Sequence, residues 1–256
     1  MGRRNRLRER LAAGDRLVGA YVSFPSPELV EFLGHAGFDW AFFDAEHGGI
    51  GLETCYSLVR AADAVNLPTV VRVPVNEPSQ VLRFGETGAN GIMVPHVQSL
   101  ADAHRFVDAL RYWPDGQRGA MSASRAANFG LTQTAEEYFG DTDGRPLAVA
   151  LIEDKQACQD ITEIATAPGV DVFFIGPGDL AMSLGRPAQL DHPDVVAVIR
   201  ETTQKLVDAG CAVGTIVPTA AAARAAFDAG MRLVIVSAGM LLGQQIKSFL
   251  AEARAD

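Results

Sequence analysis

Two acidic residues each follow an unbroken apolar run. Glu153 comes directly after residues 147–152, and Asp179 comes shortly after residues 172–175. Carboxylates are the ligands that Mg²⁺ and Mn²⁺ prefer, and two of them leave most coordination positions to water and substrate. The pair therefore indicates a hard metal site. The alternative is that each acid caps the following helix, although Asp154 is a better cap candidate than Glu153.

A Gly-Pro-Gly turn, residues 176–178, separates the second apolar run from Asp179. Such a turn points backbone N–H groups outwards at the end of a strand, which suits an anion. We therefore expect Gly176, Pro177, Gly178 and Asp179 to form an anion-binding turn. The alternative is an ordinary connection between a strand and a helix.

A second polar group follows two earlier apolar runs. Asp44, Glu46 and His47 follow one run, and Arg72 ends the next. Arg72 suits a developing oxyanion or a carboxylate, and a salt bridge to Asp44 or Glu46 is also compatible with that role. Asp44 is close enough in sequence to orient the His47 imidazole, as expected of a general acid/base, whereas the alternative for His47 is a solvated loop histidine. His96 has no such neighbour and is a candidate for a supporting or interface role.

A repeated pattern organises the chain: a helical segment, a glycine, one or two residues and a short apolar run. Glycine past a helix end is a common stop, and the run after it is typical of a central strand. The predicted strands are Leu17–Ser23, Trp40–Asp44, Thr69–Arg72, Gly91–Val94, Leu147–Ile152, Val172–Ile175, Ala212–Val217 and Leu233–Ser237.

Eight alternating units within 256 residues favour an α/β fold, a closed (β/α)8 TIM barrel that forms one domain over residues 1–256. No GxGxxG follows the first strand, which argues against a doubly wound sheet. In such barrels the active site lies at the carboxyl ends of the strands, and the polar residues above all come at strand ends.

Helical patterns fill the gaps between the strands. An N-terminal helix is expected within residues 1–15, and others at Ser26-Pro27 onward, Leu52–Ala64, Ser79–Thr87, Leu100–Leu110, Lys155–Thr166, Asp194–Ala209, Ala220–Ala229 and Leu241–Ala253. The longest departure, residues 112–145, contains a short helical piece and is expected to be a lid, a binding loop or an oligomer contact.

Composition limits the partners. The net charge of −9 argues against nucleic acid and against an anionic membrane surface. No apolar run approaches the ~20 residues of a transmembrane helix, and the basic opening lacks the apolar region of a targeting signal. Cys55, Cys158 and Cys211 are widely spaced, which indicates free thiols in a reducing cytoplasm. We therefore expect a cytoplasmic protein that acts on small molecules.

Six motifs occur together in one order from Gly19 to about Gly243. They are DAEH at Asp44–His47, VVRVP around Arg72, GIMVPHV from Gly91, RYWPDGQRG from Arg111, LIED from Leu151 and FIGPGDLAMSLG from Phe174. As a set they resemble the HpcH/HpaI family of class II, metal-dependent pyruvate aldolases, of which 4-hydroxy-2-oxoheptanedioate aldolase is one type. The resemblance implies a (β/α)8 barrel that is usually a homohexamer, a trimer of dimers that exchange their last helix.

The resemblance also implies roles for residues. Glu153 and Asp179 match the ligands of Mg²⁺, Mn²⁺ or a similar ion such as Co²⁺ or Zn²⁺, and Arg72 matches the residue that steadies the keto or enolate oxygen. The Asp44–His47 pair matches the acid/base dyad. The backbone around Gly178 and Asp179 matches the carboxylate-binding turn. Ile216 falls near an apolar position that packs on the substrate.

The expected activity is a metal-dependent carbon–carbon lyase that forms or cleaves 4-hydroxy-2-oxo acids from a 2-keto acid and an aldehyde. One departure leaves the substrate open, because Leu151 stands where many relatives have glutamine. The alternatives are a citrate-synthase-like condensing enzyme or decarboxylase that uses oxaloacetate, with Arg118 or Arg125 binding the extra carboxylate, and a non-catalytic keto-acid binder. No lysine lies at these strand ends, which argues against a Schiff-base aldolase.

Overall fold

Eight parallel strands close into a barrel in the computed structural model, which describes residues 5–255. The strands are β1 Leu17–Val22, β2 Trp40–Asp44, β3 Thr69–Arg72, β4 Gly91–Val94, β5 Leu147–Ile152, β6 Val172–Ile175, β7 Val213–Ile216 and β8 Leu233–Ser237. Each strand pairs with the next, and β1 pairs with β8. The predicted (β/α)8 fold is confirmed, with β1 and β7 slightly shorter than predicted.

Helices cover the outside of the barrel. They are α1 Arg6–Ala12, α2 Pro27–His35, α3 Leu52–Ala64, α4 Pro78–Gly85, α5 Leu100–Leu110, α6 Ala135–Gly140, α7 Lys155–Gln159, α8 Ile161–Ile164, α9 Pro177–Ser183, α10 Pro193–Asp208, α11 Ala220–Asp228 and α12 Ala238–Ala253. Ser26 caps α2 by accepting a hydrogen bond from the Leu29 N–H, and Pro27 occupies the first helical position.

The helix predicted at Lys155–Thr166 is broken in two. Asp160 ends α7 and precedes α8, with non-helical backbone angles of φ −94° and ψ 11°. Aspartate is a poor residue for a helix interior, and here its carboxylate accepts a hydrogen bond from the Gln156 amide. The prediction is therefore corrected to two short helices.

The interior of the barrel is filled by apolar side chains that alternate along the strands with outward ones. Trp40 lies against Gly19, where a Cβ would come within 2.4 Å of the indole ring. Phe174 occupies the space beside Gly214 in the same way. Leu7 of α1 is 1% exposed and belongs to this interior cluster, so α1 closes the end of the barrel where the strands begin. Residues 1–4 of the predicted N-terminal helix lie outside the described residues.

Residues 112–145 lie at the end of the barrel where the strands begin. They follow the end of α5 and lead into β5, and both of these points are at that end. The segment contains α6 and a 3₁₀ helix, Arg125–Gly130. It therefore does not cover the carboxyl ends of the strands of its own chain, which differs from the lid that we expected as one alternative.

The last helix, α12, leaves much of its apolar surface exposed. Only Ala238 of this helix is buried. The exposed apolar side chains include Met240, Leu242, Ile246 and Phe249. Within residues 5–255, no helix is both long and apolar enough to cross a membrane.

Candidate active site at the carboxyl ends of the strands

Asp44 and Arg72 end neighbouring strands in direct register. Both point into the barrel, because Asp44 lies two positions after the interior residue Phe42 and Arg72 two positions after the interior residue Val70, and residues two apart in a strand share a face. Arg72 Nε lies 2.9 Å from Asp44 Oδ1, and Arg72 Nη2 lies 2.5 Å from Oδ2. Their side chains are 10% and 1% exposed. A planar guanidinium is therefore held by a two-pronged, buried ion pair.

The Asp44 carboxylate accepts three further hydrogen bonds. They come from the Tyr21 hydroxyl at 3.1 Å and from the backbone N–H groups of Glu46 and His47. Burial raises the pKa of Asp44, but the Arg72 hydrogen bonds and charge, with those of the backbone, outweigh it and lower the pKa below its ordinary value. Asp44 is therefore ionised in the folded protein at neutral pH.

Glu46 supplies a second carboxylate to Arg72. Its Oε2 lies 3.0 Å from Arg72 Nη1, an ion pair without hydrogen-bond geometry. Burial lowers the pKa of Arg72, but Asp44, Glu46 and the more distant Glu153 raise it above its ordinary value. Arg72 is thus charged and fixed, and both salt bridges considered from the sequence are present.

His47 does not form the side-chain pair with Asp44 that we expected. Asp44 contacts the backbone N–H of His47, whereas the imidazole is 59% exposed and lies nearest Glu46, with Nε2 and Oε2 4.0 Å apart. The reason is that the Asp44 oxygens point into the barrel and are already bound by Arg72 and Tyr21. The expectation that Asp44 orients the imidazole is therefore wrong: Asp44 contacts only the backbone of His47.

Glu153 follows β5 and is 2% exposed. Its Oε1 accepts a hydrogen bond from the His96 N–H at 2.9 Å. A Cβ on Gly176 would lie 3.1 Å from Oε2, so glycine makes room for this carboxylate. Burial raises the pKa of Glu153 to about 7; Asp179 acts in the same direction, while His96 and Arg72 oppose it. A buried carboxylate with a raised pKa needs a cation to stay ionised.

Asp179 lies in the first turn of α9, near enough to Glu153 to raise its pKa. Gly176 is the N-cap residue of this helix, so Asp179 does not cap it, and Pro177 and Gly178 form its first two positions. The Asp179 residue is exposed, and its carboxylate makes no hydrogen bond or ion pair within residues 5–255. The first N–H groups of a helix have no intrahelical partner, so Gly178 and Asp179 offer theirs to an anion.

The carboxylate oxygens of Glu153 and Asp179 suit a hard divalent ion as ligands. Both are carboxylates, Glu153 follows β5 and Asp179 lies in the first turn of the helix after the neighbouring strand β6, and a cation would relieve their mutual repulsion. In the described part of the chain, no group of three or more histidines, cysteines and acids converges on one metal position. A metal at this pair would therefore take its other ligands from water and substrate oxygens, as Mg²⁺ commonly does.

His96 lies beside these carboxylates, which sequence spacing did not show. Its Nδ1 is 3.2 Å from Asp154 Oδ2 and 3.3 Å from Glu153 Oε1, and its Nε2 is 3.9 Å from Glu46. Partial burial lowers the pKa of His96, but these carboxylates outweigh it and raise the pKa above its ordinary value. Its φ of +52° turns its N–H towards Glu153. Asp154 occupies the N-cap position of α7, as expected, but its carboxylate contacts His96 and makes no capping hydrogen bond.

Two apolar residues complete the floor of this region. Ile216 ends β7 and packs against the interior cluster, to which Leu151 of β5 also belongs. Leu151 is 3% exposed and would come within 3.3 Å of a Cβ on Gly176. Leu151 is therefore part of the barrel interior beneath Glu153.

Arg118 and Arg125 lie at the other end of the same barrel. Arg118 is buried, with Nη2 2.8 Å from Glu86 and its guanidinium over the Tyr112 ring. Arg125 pairs with Asp63 near the end of α3 and donates to the Thr87 carbonyl. Neither arginine reaches the Arg72 site within one chain.

Known proteins share both the sequence and the fold. Residues 17–242 match the protein family described as HpcH/HpaI aldolase/citrate lyase. The chain is 35% identical over 243 residues to the hydroxypyruvate/pyruvate aldolase of Paraburkholderia phytofirmans, covering 93% of this chain and 92% of that protein.

Two solved structures superpose closely. One is an HpcH/HpaI aldolase/citrate lyase family protein from Burkholderia cenocepacia, with a TM-score of 0.92, 36% identity and coverage of 98% and 100% of the two chains. The other is the citrate synthase SbnG, with a TM-score of 0.85, 26% identity and 97% coverage of both chains. The match extends over most of the chain and includes every strand end described above. The chain therefore belongs to the HpcH/HpaI aldolase/citrate lyase family.

Proposed function

We propose that this protein is a divalent-metal-dependent aldolase that forms or cleaves 4-hydroxy-2-oxo acids through the enolate of a pyruvate-type 2-keto acid. The observation that carries the proposal is the position of Arg72, which Asp44 and Glu46 hold on the same rim as the carboxylates of Glu153 and Asp179. Family membership supports it, because a relative with 35% identity is named a hydroxypyruvate/pyruvate aldolase.

The side chains divide the work between the keto acid and the acceptor. Glu153 and Asp179 would hold Mg²⁺ or Mn²⁺, and the ion supplies a Lewis acid for the enolate when it is bound. Arg72 supplies a fixed positive charge where the enolate oxygen gains negative charge. The N–H groups of Gly178 and Asp179 suit the carboxylate of the keto acid.

The remaining residues face the acceptor. His47 is exposed at the rim, where an imidazole can accept a proton from the acceptor hydroxyl during cleavage and return it during synthesis. Gly48 and Gly49 follow His47 in the loop after β2, and the imidazole is free of side-chain hydrogen bonds within residues 5–255. Ile216, partly buried at the end of β7, provides an apolar surface against which the carbon chain of the substrate packs.

Exchange of the pyruvate methyl protons with D₂O tests this proposal without knowledge of the acceptor. We expect proton NMR to show exchange that stops with EDTA and returns with Mg²⁺ or Mn²⁺, because enolate formation needs the ion. Full exchange in metal-free protein would contradict the metal requirement. Binding of pyruvate without exchange would favour the non-catalytic binder.

A second candidate is a condensing enzyme or decarboxylase that uses oxaloacetate. The similarity to the citrate synthase SbnG and the apolar Leu151 favour this candidate. Arg118 and Arg125 cannot bind the extra carboxylate within one chain, so a neighbouring copy would have to supply them. Release of free coenzyme A from acetyl-CoA and oxaloacetate, or of CO₂ from oxaloacetate alone, separates it from the aldolase.

We also infer that copies of this chain associate through α12 into a homo-oligomer, a trimer of dimers that exchange this helix. The support is the apolar surface that α12 leaves exposed on its own chain, including Ile246 at 49% and Phe249 at 69%. Exposed apolar surface of this extent is typical of an interface. Cys55, Cys158 and Cys211 are free thiols, which supports a cytoplasmic location.

A further inference from the structure

Tyr21 lies beside the Asp44–Arg72 pair. It is on β1, which pairs with one edge of β2, whereas Arg72 is on β3, which pairs with the other edge. It occupies β1 at the level of Phe42 of β2 and Ser237 of β8, near the carboxyl end of the barrel. Its ring packs edge-on against Phe42, with centroids 5.5 Å apart, and its hydroxyl donates to Asp44 Oδ2 at 3.1 Å. The hydroxyl thus reaches the same oxygen that binds Arg72 Nη2.

We propose that Tyr21 is a positioning residue for the reaction, whose hydroxyl holds the Asp44 carboxylate in the orientation that fixes the Arg72 guanidinium. The backbone N–H groups of Glu46 and His47 donate to Asp44 Oδ1. Within residues 5–255, Asp44 Oδ2 accepts hydrogen bonds only from Arg72 and from the Tyr21 hydroxyl. Without it, the carboxylate can rotate about its last bond and carry Arg72 with it.

The surroundings suit a neutral phenol that donates. Burial and the adjacent Asp44 charge raise the pKa of Tyr21 to about 12, so the hydroxyl keeps its proton at neutral pH. A hydroxyl that donates to an ionised carboxylate forms a stronger hydrogen bond than one between neutral groups. Asp44 thus orients the Arg72 guanidinium and not the His47 imidazole, which its carboxylate does not contact.

Tyr21→Phe removes the hydroxyl and keeps the packing against Phe42. We would measure the dissociation constant of oxalate, a planar analogue of the pyruvate enolate, by calorimetry with Mn²⁺. We expect a rise of about tenfold, the lower range for loss of a hydrogen bond to a charged group. The binding stoichiometry should not change, whereas a merely structural defect would lower the stoichiometry and leave the dissociation constant unchanged.

Tyr112→Phe is the matched control. Tyr112 is also buried and donates its hydroxyl hydrogen bond to another phenol, Tyr138, at the opposite end of the barrel. We expect no change in oxalate affinity. Arg72→Lys provides a further test, because Tyr21→Phe should add less than about twofold when the guanidinium fork is absent. Independent multiplication of the two losses would overturn the inference.

The oxalate experiment rests on the proposed function. A second measurement, made on metal-free protein, therefore tests the role of Tyr21 independently. In protein labelled with ¹⁵N-arginine, the Nε–H signal of Arg72 is identified by its loss in Arg72→Lys. We expect Tyr21→Phe to speed its exchange with solvent at least about fivefold, as expected for a less constrained donor. Failure of the wild type to bind oxalate would count against the proposed function; an unchanged exchange rate would count against Tyr21.

Discussion

Arg72 and Asp44 face each other across strands β3 and β2 and form two hydrogen bonds, at 2.9 and 2.5 Å. Removing one partner of a buried ion pair leaves an uncompensated charge, whereas keeping both fixes a geometry. This pair orients the only side chain that we assign to the keto or enolate oxygen. Its disruption should therefore affect chemistry and stability in distinguishable ways.

Arg72→Lys keeps the charge and removes the planar fork. We expect the rate of pyruvate proton exchange to fall about 10²–10³-fold, the range for loss of one oriented donor to a developing oxyanion. Arg105→Lys is a suitable control, because Arg105 forms an exposed pair with Asp102 on α5. A loss below tenfold in Arg72→Lys would show that charge alone suffices.

Asp44→Asn should destabilise the protein by about 3–5 kcal/mol at pH 7, because Arg72 loses its buried counter-ion. The folded pKa of Asp44 is lower than its unfolded value of about 3.9, so the native state binds fewer protons and stability rises with pH across this interval. The stabilisation is present above the unfolded pKa and is lost as pH falls through the folded pKa.

Urea unfolding of wild type and Asp44→Asn from pH 7 to pH 3 measures this effect. The difference in unfolding free energy between the two proteins should be constant near neutral pH and shrink below about pH 4. If the difference in unfolding free energy stays the same down to pH 3, the charge of Asp44 does not contribute to the stability of the fold.

His47→Ala should slow aldol cleavage by about 10²–10⁴-fold, the usual contribution of a positioned acid or base. Oxalate affinity should stay near that of the wild type, because the exposed imidazole makes no contact that holds Glu153 or Arg72. His104→Ala, an exposed histidine on α5, serves as the control. Turnover equal to that of the wild type would remove His47 from the mechanism.

Glu153→Gln should weaken Mn²⁺ binding by more than about 100-fold, beyond the loss caused by changing an outer partner of a metal ligand. Electron paramagnetic resonance of free Mn²⁺ measures this without any substrate. Asp154→Asn is the matched neighbour: it contacts His96, and its loss should cost about tenfold or less. Equal effects of the two substitutions would argue against Glu153 as a ligand.

Ile246→Glu combined with Phe249→Glu should dissociate the oligomer, because both side chains are exposed and apolar on α12. Sedimentation velocity would show a smaller species than the wild type. Lys247→Glu changes charge on the same helix without adding an acid to an apolar position, and should leave the assembly intact. Wild-type sedimentation of the double variant would exclude α12 as the interface.

The strands were predictable because their signals are local. A glycine after a helical segment, followed by β-branched and aromatic residues, specifies a buried parallel strand without reference to the rest of the chain. The break in the helix at Asp160 was not predicted. It depends on the low helix propensity of a single aspartate, and the packing of neighbouring residues often outweighs such a propensity. Tyr21 could have been found by alternation, since it shares a face with Leu17 and Gly19.

The sequence by itself determined the barrel and the identity of the polar groups at its strand ends, because each strand end is marked within a few residues. Only the tertiary structure decided which groups meet. Asp44 contacts Arg72, 28 positions away in the chain, and not the imidazole three positions away, because strand register places side chains across a barrel while a loop turns them outwards. The tertiary structure also places Arg118 at the end of the barrel where the strands begin, and it leaves the apolar side chains of α12 exposed on its own chain.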